Sequence, residues 1–157
     1  MRISAKVDYA VRAAVQLAAA EGAGPVKGDE IAAAQDIPIN FLENILALLR
    51  NAGFVMSRRG ADGGYWLAMP AERITIADIV RVIDGPLAAV RGVRPSEAQF
   101  PYPAAPLRDV WVAVRASLRA VLEEVTLADI VADRLPAAVE EWTSRAGAWE
   151  SPPLNSD

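Results

Sequence analysis

A mainly α fold interrupted by one short β-hairpin is what this 157-residue chain predicts. Three observations carry that reading. Apolar residues recur at helical spacing through three successive N-terminal segments; a charged, glycine-rich turn between two β-prone runs follows directly; and a long apolar stripe lies beyond a proline-rich stretch.

The first helix is expected over residues 6–20, where Val7, Ala10, Val11, Ala14 and Leu17 share one side of an alanine-rich segment. Glu21-Gly22-Ala23-Gly24-Pro25 ends it. A short second helix over 28–35 opens with Asp29 and Glu30, whose charges suit the positive end of a helix dipole. After a brief turn at Asp36-Ile37, Pro38 has the preset geometry of a first helical position, and the third helix runs to about Asn51. Phe41, Leu42, Ile45, Leu48 and Leu49 gather on one side of it. Asn40, Glu43, Asn44, Ala47, Arg50 and Asn51 share the other within an arc of roughly 120°.

Gly53 supplies a left-handed stop, and Phe54-Val55-Met56-Ser57 reads as a strand. Residues 58–64 form a charged turn, and Tyr65-Trp66-Leu67-Ala68 returns as the second strand of a hairpin. Thr75 is placed to cap a fourth helix with Asp78 three residues on; Ile76, Ile79, Val80 and Ile83 are its apolar stripe, and Asp84-Gly85-Pro86 its end. Pro95, Pro101, Pro103 and Pro106 forbid a continuous helix, which leaves a long loop over 87–106. From Leu107 the stripe Leu107, Val110, Trp111, Val114, Leu118, Val121 and Val125 spans about five turns, too long for a domain of this size to cover, so it is expected to pack on a second copy of the chain. Thr126-Leu127-Ala128-Asp129-Ile130-Val131 echoes Thr75-Ile76-Ala77-Asp78-Ile79-Val80, by duplication or, the preferred reading, by reuse of one capping solution. Trp142 and Trp149 sit on a last amphipathic turn before a tail, 151–157, expected to be disordered.

Three helices with a brief turn between the second and third, followed at once by a hairpin with arginines near its tip, make a winged helix-turn-helix DNA-binding domain with a long C-terminal dimerisation helix beyond it. The expected divisions are the winged domain at 1–85, the proline-rich loop at 86–106, the dimerisation helix and a short following helix at 107–135, and a partly disordered tail at 136–157. A major groove admits one helix, asparagine pairs with adenine and glutamate accepts from the amino group of cytosine. Asn40, Glu43 and Asn44 are therefore candidate base readers. Arg58 and Arg59 on the wing reach a phosphate or a minor groove, and Arg2, Lys6 and Lys27 are candidate backbone contacts near helix starts. The competing reading makes Asn40, Glu43 and Asn44 an ordinary solvated face, and the chain a winged-helix protein-interaction module that no longer binds DNA. The wing tilts the balance, because Arg-Arg-Gly beside Gly-Gly is unusual for a simple structural turn.

Composition bounds the alternatives. With no cysteine and no histidine, the chain has no disulfide, thiolate, imidazole base or usual ligand for zinc, haem or iron-sulfur, so no metal site and no cofactor is expected. Glu123-Glu124 and Glu140-Glu141 point about 100° apart on a helix and cannot converge as an acid/base pair. Without a nucleophile elbow or a phosphate loop, no catalytic residue stands out and an enzyme is not expected. The longest uncharged stretch is the ten residues 98–107, against about 20 for a membrane span; charges at Arg2, Lys6, Asp8 and Arg12 interrupt any secretory core, and a cytoplasmic location is expected. A net charge of −4 means that affinity for DNA must come from local placement of cations.

Tyr9-Ala10-Val11-Arg12-Ala13, Ile31-Ala32, Ile37-Pro38 and Phe41-Leu42 precede a longer pattern: Leu49-x-x-Ala52-Gly53-Phe54-Val55-x-Ser57-x-Arg59-Gly60-x-x-Gly63-Gly64-Tyr65-x-Leu67-Ala68. Together with Thr75-Ile76-Ala77-Asp78-Ile79, Asp84-Gly85-Pro86 and Thr126-Leu127-Ala128-Asp129, in that order over residues 1 to about 132, this resembles the IscR/NsrR/CymR (Rrf-type) family of bacterial regulators. The resemblance implies a transcriptional regulator that binds double-stranded DNA as a homodimer through its long helix, with DNA contacts at the positions of Asn40, Glu43 and Arg59. Many relatives hold an iron-sulfur cluster through cysteines in the loop matched here by 87–106, and some supply an acidic ligand where this chain has Asp8. A lone carboxylate does not retain a cluster, so Asp8 reads as a surface charge or helix-start residue. Cluster-free relatives include regulators of cysteine and sulfur metabolism that answer to a partner enzyme or a small metabolite, which makes a small-molecule or protein effector an expectation here. Arg91, Arg94, Phe100 and Tyr102 mark the loop as a candidate effector segment, with a plain proline-rich connector as the alternative.

Overall fold

The computed structural model describes residues 2–150, so the expected disorder of 151–157 lies outside the described residues. Helix α1 (Ala5–Ala19) starts where the Ser4 hydroxyl accepts from the Val7 amide. The same hydroxyl donates to Asp84 at 3.0 Å, joining this cap to the end of α4 (Ile76–Asp84). Because α1 buries Ala10, Ala13, Ala14 and Ala18 beside Val7 and Leu17, its neighbours approach closely, and it is the hub against which α2 (Gly28–Gln35), α3 (Ile39–Asn51), α4 and α6 (Leu127–Val131) pack.

The turn between α2 and α3 is tight because Asp36 adopts the left-handed conformation (φ 49°, ψ 52°), which aspartate tolerates better than most residues. Ile37 then drops into the core, and Pro38 takes the capping position one residue before the helix rather than its first turn. In α3 the buried side is Leu42, Ile45, Leu46 and Leu49. Phe41, expected in the core, is 57% exposed: it sits at the edge of that stripe, its ring edge-on to Tyr9 with centroids 6.2 Å apart. Strands β1 (Val55–Arg58) and β2 (Gly64–Leu67) pair antiparallel, in register from Val55 opposite Leu67 to Arg58 opposite Gly64. Val26 extends this sheet by exchanging both backbone hydrogen bonds with Tyr65, at 2.9 and 2.8 Å, so the wing is bonded to the segment that leads into α2.

Pairing also explains the repeated Thr-x-Ala-Asp motif. Thr75 and Thr126 each cap a helix with the aspartate three residues on, and the two capping segments form an antiparallel bridge. Ile76 donates to the Val125 carbonyl at 2.9 Å and Leu127 to that of Ile74 at 3.0 Å. The chain therefore leaves the body at residue 85, runs through the loop and the long α5 (Leu107–Leu122), and returns so that Leu127, fully buried, completes the core of the N-terminal helices. The loop holds a single 3-10 turn, Pro95–Glu97, with Pro95 and Ala98 buried where it packs on α5. Helix α7 (Ala137–Thr143) follows, where Arg145 lies 3.7 Å above the Trp142 ring and the exposed Trp149 donates its indole N–H to the Thr143 carbonyl at 2.9 Å.

Candidate nucleic-acid interface

Burial of Leu42, Ile45, Leu46 and Leu49 turns the opposite side of α3 outward, and there Asn40, Glu43, Asn44 and Asn51 are all exposed. Ile39 and Phe41, also exposed, flank the polar row; the sequence pattern hid Phe41 because it falls within helical spacing of the core residues. Exposed aromatic and aliphatic groups beside amide donors are what a thymine methyl group meets in a major groove.

The wing is shaped by its glycines. A Cβ on Gly63 would lie 2.1 Å from the Arg58 carbonyl oxygen, and one on Gly64 (φ 152°) 2.6 Å from that of Val26. Neither position has room for a side chain, so glycine there lets the turn close and Gly64 press against the segment leading into α2. Arg58 donates to the Asp62 carbonyl at 2.9 Å and braces the turn from within, whereas Arg59 is exposed at the tip.

Lys27 lies at the foot of this turn. Its backbone N–H donates to Glu30 at 3.1 Å, and its ammonium donates to the Gly60 carbonyl at 3.0 Å and to that of Ala61. Two of its three donors thus hold the wing, a role the sequence did not suggest. Arg50, read from the sequence only as part of the polar face, donates to the Ser57 hydroxyl at 3.3 Å and links the end of α3 to β1. Lys27, Arg50, Ser57, Arg58, Arg59 and Tyr65 line one hollow of about 390 Å³, and no carboxylate side chain lines it. The structure does not bring Arg2 there. Arg2 lines a separate hollow between α1, α4 and α5 that it shares with Asp84 and Leu118, and Lys6 sits half-buried on the first turn of α1.

In α5, no residue is buried. Leu107, Trp111, Val114, Leu118 and Val121 are half-buried, the first three facing the loop and Leu118 the body of the same chain, while Val110, Val112, Ala113, Ala116 and Ala120 are exposed. Val125 does not belong to this stripe: the helix ends at Leu122, and Val125 is buried where the chain turns back to pair with the start of α4. Glu123, just past the helix, pairs with Arg119 at 2.9 Å and with Arg81 of α4, and these hydrogen bonds hold its carboxyl below the usual glutamate range. Asp129 is held low by the Thr126 hydroxyl and then by the Thr126 amide. In the loop, Arg91 lies over Phe100, Arg94 caps the 3-10 turn, and Tyr102 is 91% exposed. Among the described residues, no helix is long and apolar enough to cross a membrane.

The family described as Rrf2, Iron-dependent Transcriptional regulator, matches residues 3–133. The protein Rv1287 of Mycobacterium tuberculosis (strain ATCC 25618 / H37Rv) is 51% identical over 151 residues, 96% of this chain and 94% of its own. The structure of CymR, the global cysteine regulator of B. subtilis, superposes with a TM-score of 0.73 at 34% identity, covering 85% of this chain and 98% of that one. IscR of T. potens superposes with a TM-score of 0.70, also at 34% identity, covering 95% and 96%.

The residues present do not fit an iron-sulfur cluster. The sequence has neither thiolate nor imidazole to offer, and among the described residues no three acidic side chains gather as a metal site. The carboxylate of Asp8 is engaged by Arg12 at 2.8 Å. In the order of its elements, in the paired wing and over residues 3–133, the chain belongs to the Rrf2 family of transcriptional regulators.

Proposed function

We propose that the chain is a cytoplasmic homodimeric repressor that binds a palindromic operator, with α3 in the major groove and the wing on the adjacent backbone or minor groove, and that it senses its signal without an iron-sulfur cluster. The observation that carries this is local charge. In a chain of net charge −4, a carboxylate-free hollow lined by Lys27, Arg50, Arg58 and Arg59 lies at the wing, joined to the polar face of α3 through Arg50 and Ser57. A phosphate backbone meets cations there while Asn40, Glu43 and Asn44 meet base edges.

Two supports extend the reading. The exposed edge of α5, Val112, Ala113, Ala116 and Ala120, offers a second copy a helix face of small and apolar residues bordered by the charges of Asp109 and Arg119. Its likeness to the global cysteine regulator of B. subtilis favours a role in sulfur or cysteine metabolism. The loop 86–106, which has no thiolate, is taken as the segment that receives a small-molecule or protein effector.

Selection of bound sequences from random DNA by the purified protein tests this. The expected result is a palindrome with half-site centres about 34 Å apart, or a multiple of that. Arg59→Ala is expected to weaken binding to all sequences and lower the salt slope by about 1, while Glu43→Ala relaxes preference at one base pair by about 1–3 kcal/mol. Failure to enrich any motif at low salt would favour the winged-helix interaction module instead.

A further inference from the structure

Between the loop and α5 lies a hollow of about 480 Å³ whose chemistry is opposite to that of the wing. Val90, Phe100, Leu107, Trp111 and Val114 wall it, and Arg91 is the charged residue on its lining. That size, with an apolar wall and a single polar anchor, is the pattern of a small-molecule site.

The backbone holds Arg91 there against its own preference. Val90 and Val93 exchange both backbone hydrogen bonds, at 2.9 and 3.0 Å. The two residues between them, Arg91 at φ 51° and Gly92 at φ 81°, form a mirror-image turn that favours Asn-Gly or Gly-Gly. Ala88, also on the lining, has φ 52°. Non-glycine residues persist in this region only where their surroundings over-determine them, and they cluster at ligand clamps. The Arg91 guanidinium lies 5.5 Å from the centre of the Phe100 ring and donates one N–H to the Gln99 carbonyl at 3.2 Å. Arg91 is exposed and no carboxylate pairs with it among the described residues, so no acidic side chain competes with an anion for its other N–H groups.

The loop closes this side of α5 from within the same chain, with Pro95 and Ala98 buried beneath it. Val112, Ala116 and Ala120, on the opposite exposed side, remain for a second copy.

We infer that this hollow is the effector site and that it takes an aromatic monocarboxylate. The ring lies among Phe100, Trp111 and Val114, and the carboxylate accepts two hydrogen bonds from the fork of Arg91. The inference deepens the effector reading of the loop, and its test uses no DNA, so its failure leaves the operator reading standing.

Calorimetric titration of the full chain with 1-naphthaleneacetate, and with neutral 1-naphthalenemethanol, compares wild type with Arg91→Gly. Glycine removes the cation and relieves the turn together. The expected results are one saturable naphthaleneacetate site per chain, affinity at least tenfold weaker in Arg91→Gly, unchanged or raised Tm in that variant, and naphthalenemethanol binding both proteins alike. No saturable binding to wild type, which includes a hollow filled by a second copy, overturns the inference. So does equal affinity in Arg91→Gly, or a fall in its Tm, which would make the arginine a structural part of the turn.

Discussion

Gly64→Ala is the sharpest test of how the wing is held. The new Cβ would lie 2.6 Å from the Val26 carbonyl oxygen and 3.1 Å from Pro25, in a backbone with φ 152° that side chains rarely adopt. The carbonyl it strikes is one half of the reciprocal Val26–Tyr65 pair, whose bonds are 2.9 and 2.8 Å. Relief requires the wing to move off the segment before α2 and give up both bonds, each worth about 1 kcal/mol net. A smaller shift that keeps φ near 152° eases the overlap only in part and leaves alanine in a disfavoured conformation that costs about 1–3 kcal/mol. Partial relaxation along both routes puts the loss near 3 kcal/mol, or about 6–12 °C in Tm for a chain of this length. Urea unfolding followed by tryptophan fluorescence reads the loss directly. Gly60→Ala serves as the control: its φ is 106° but nothing lies within 4 Å of a Cβ there, so only the backbone term, about 1–2 kcal/mol, applies. A Gly64→Ala protein within about 0.5 kcal/mol of wild type, or no less stable than Gly60→Ala, would refute the argument that the wing is bonded shut.

Other consequences are more direct. Ala116→Glu adds a charge at an exposed position of α5, so the single chain should stay folded while the dimer dissociates; light scattering should show the mass halve, and a wild-type monomer at micromolar concentration would end the dimer reading. Thr126→Ala removes the hydroxyl that donates to Asp129 at 2.6 Å and accepts from its amide at 3.1 Å. Because the folded carboxyl lies below the ordinary 3.8 of an aspartate, its contribution to stability is fully present above that value and is lost as pH falls through the lower, folded one. The variant should therefore be less stable at neutral pH, with a gap that narrows in acid to what the lost amide-to-hydroxyl bond contributes at every pH, whereas a constant gap down to pH 2 would show that the pair does not titrate as described. Anaerobic reconstitution with iron and sulfide should yield no visible cluster absorption, and peroxide should leave DNA affinity unchanged apart from slow oxidation at Met56 or Met69; a stoichiometric chromophore would overturn the cluster-free reading.

What the sequence determined by itself was periodic or local. The helical spacing of Leu42, Ile45 and Leu49, the Thr-x-x-Asp caps and Gly63 of the wing turn each act within a few residues, so their physics is visible in a short window. The outward row Asn40, Glu43 and Asn44 was legible for the same reason, since burying one side of a helix exposes the other. Tertiary structure decided which distant groups meet. That Lys27 braces the carbonyls of Gly60 and Ala61, that Val26 forms a third edge of the wing, and that Thr75 pairs with Thr126 are long-range backbone events that leave no period in the chain. It decided as well that Phe41 faces outward and Val125 inward, and that the stripe of α5 leans on its own loop and body. Apolarity says that a residue seeks cover, but which surface provides it depends on where the chain has already turned.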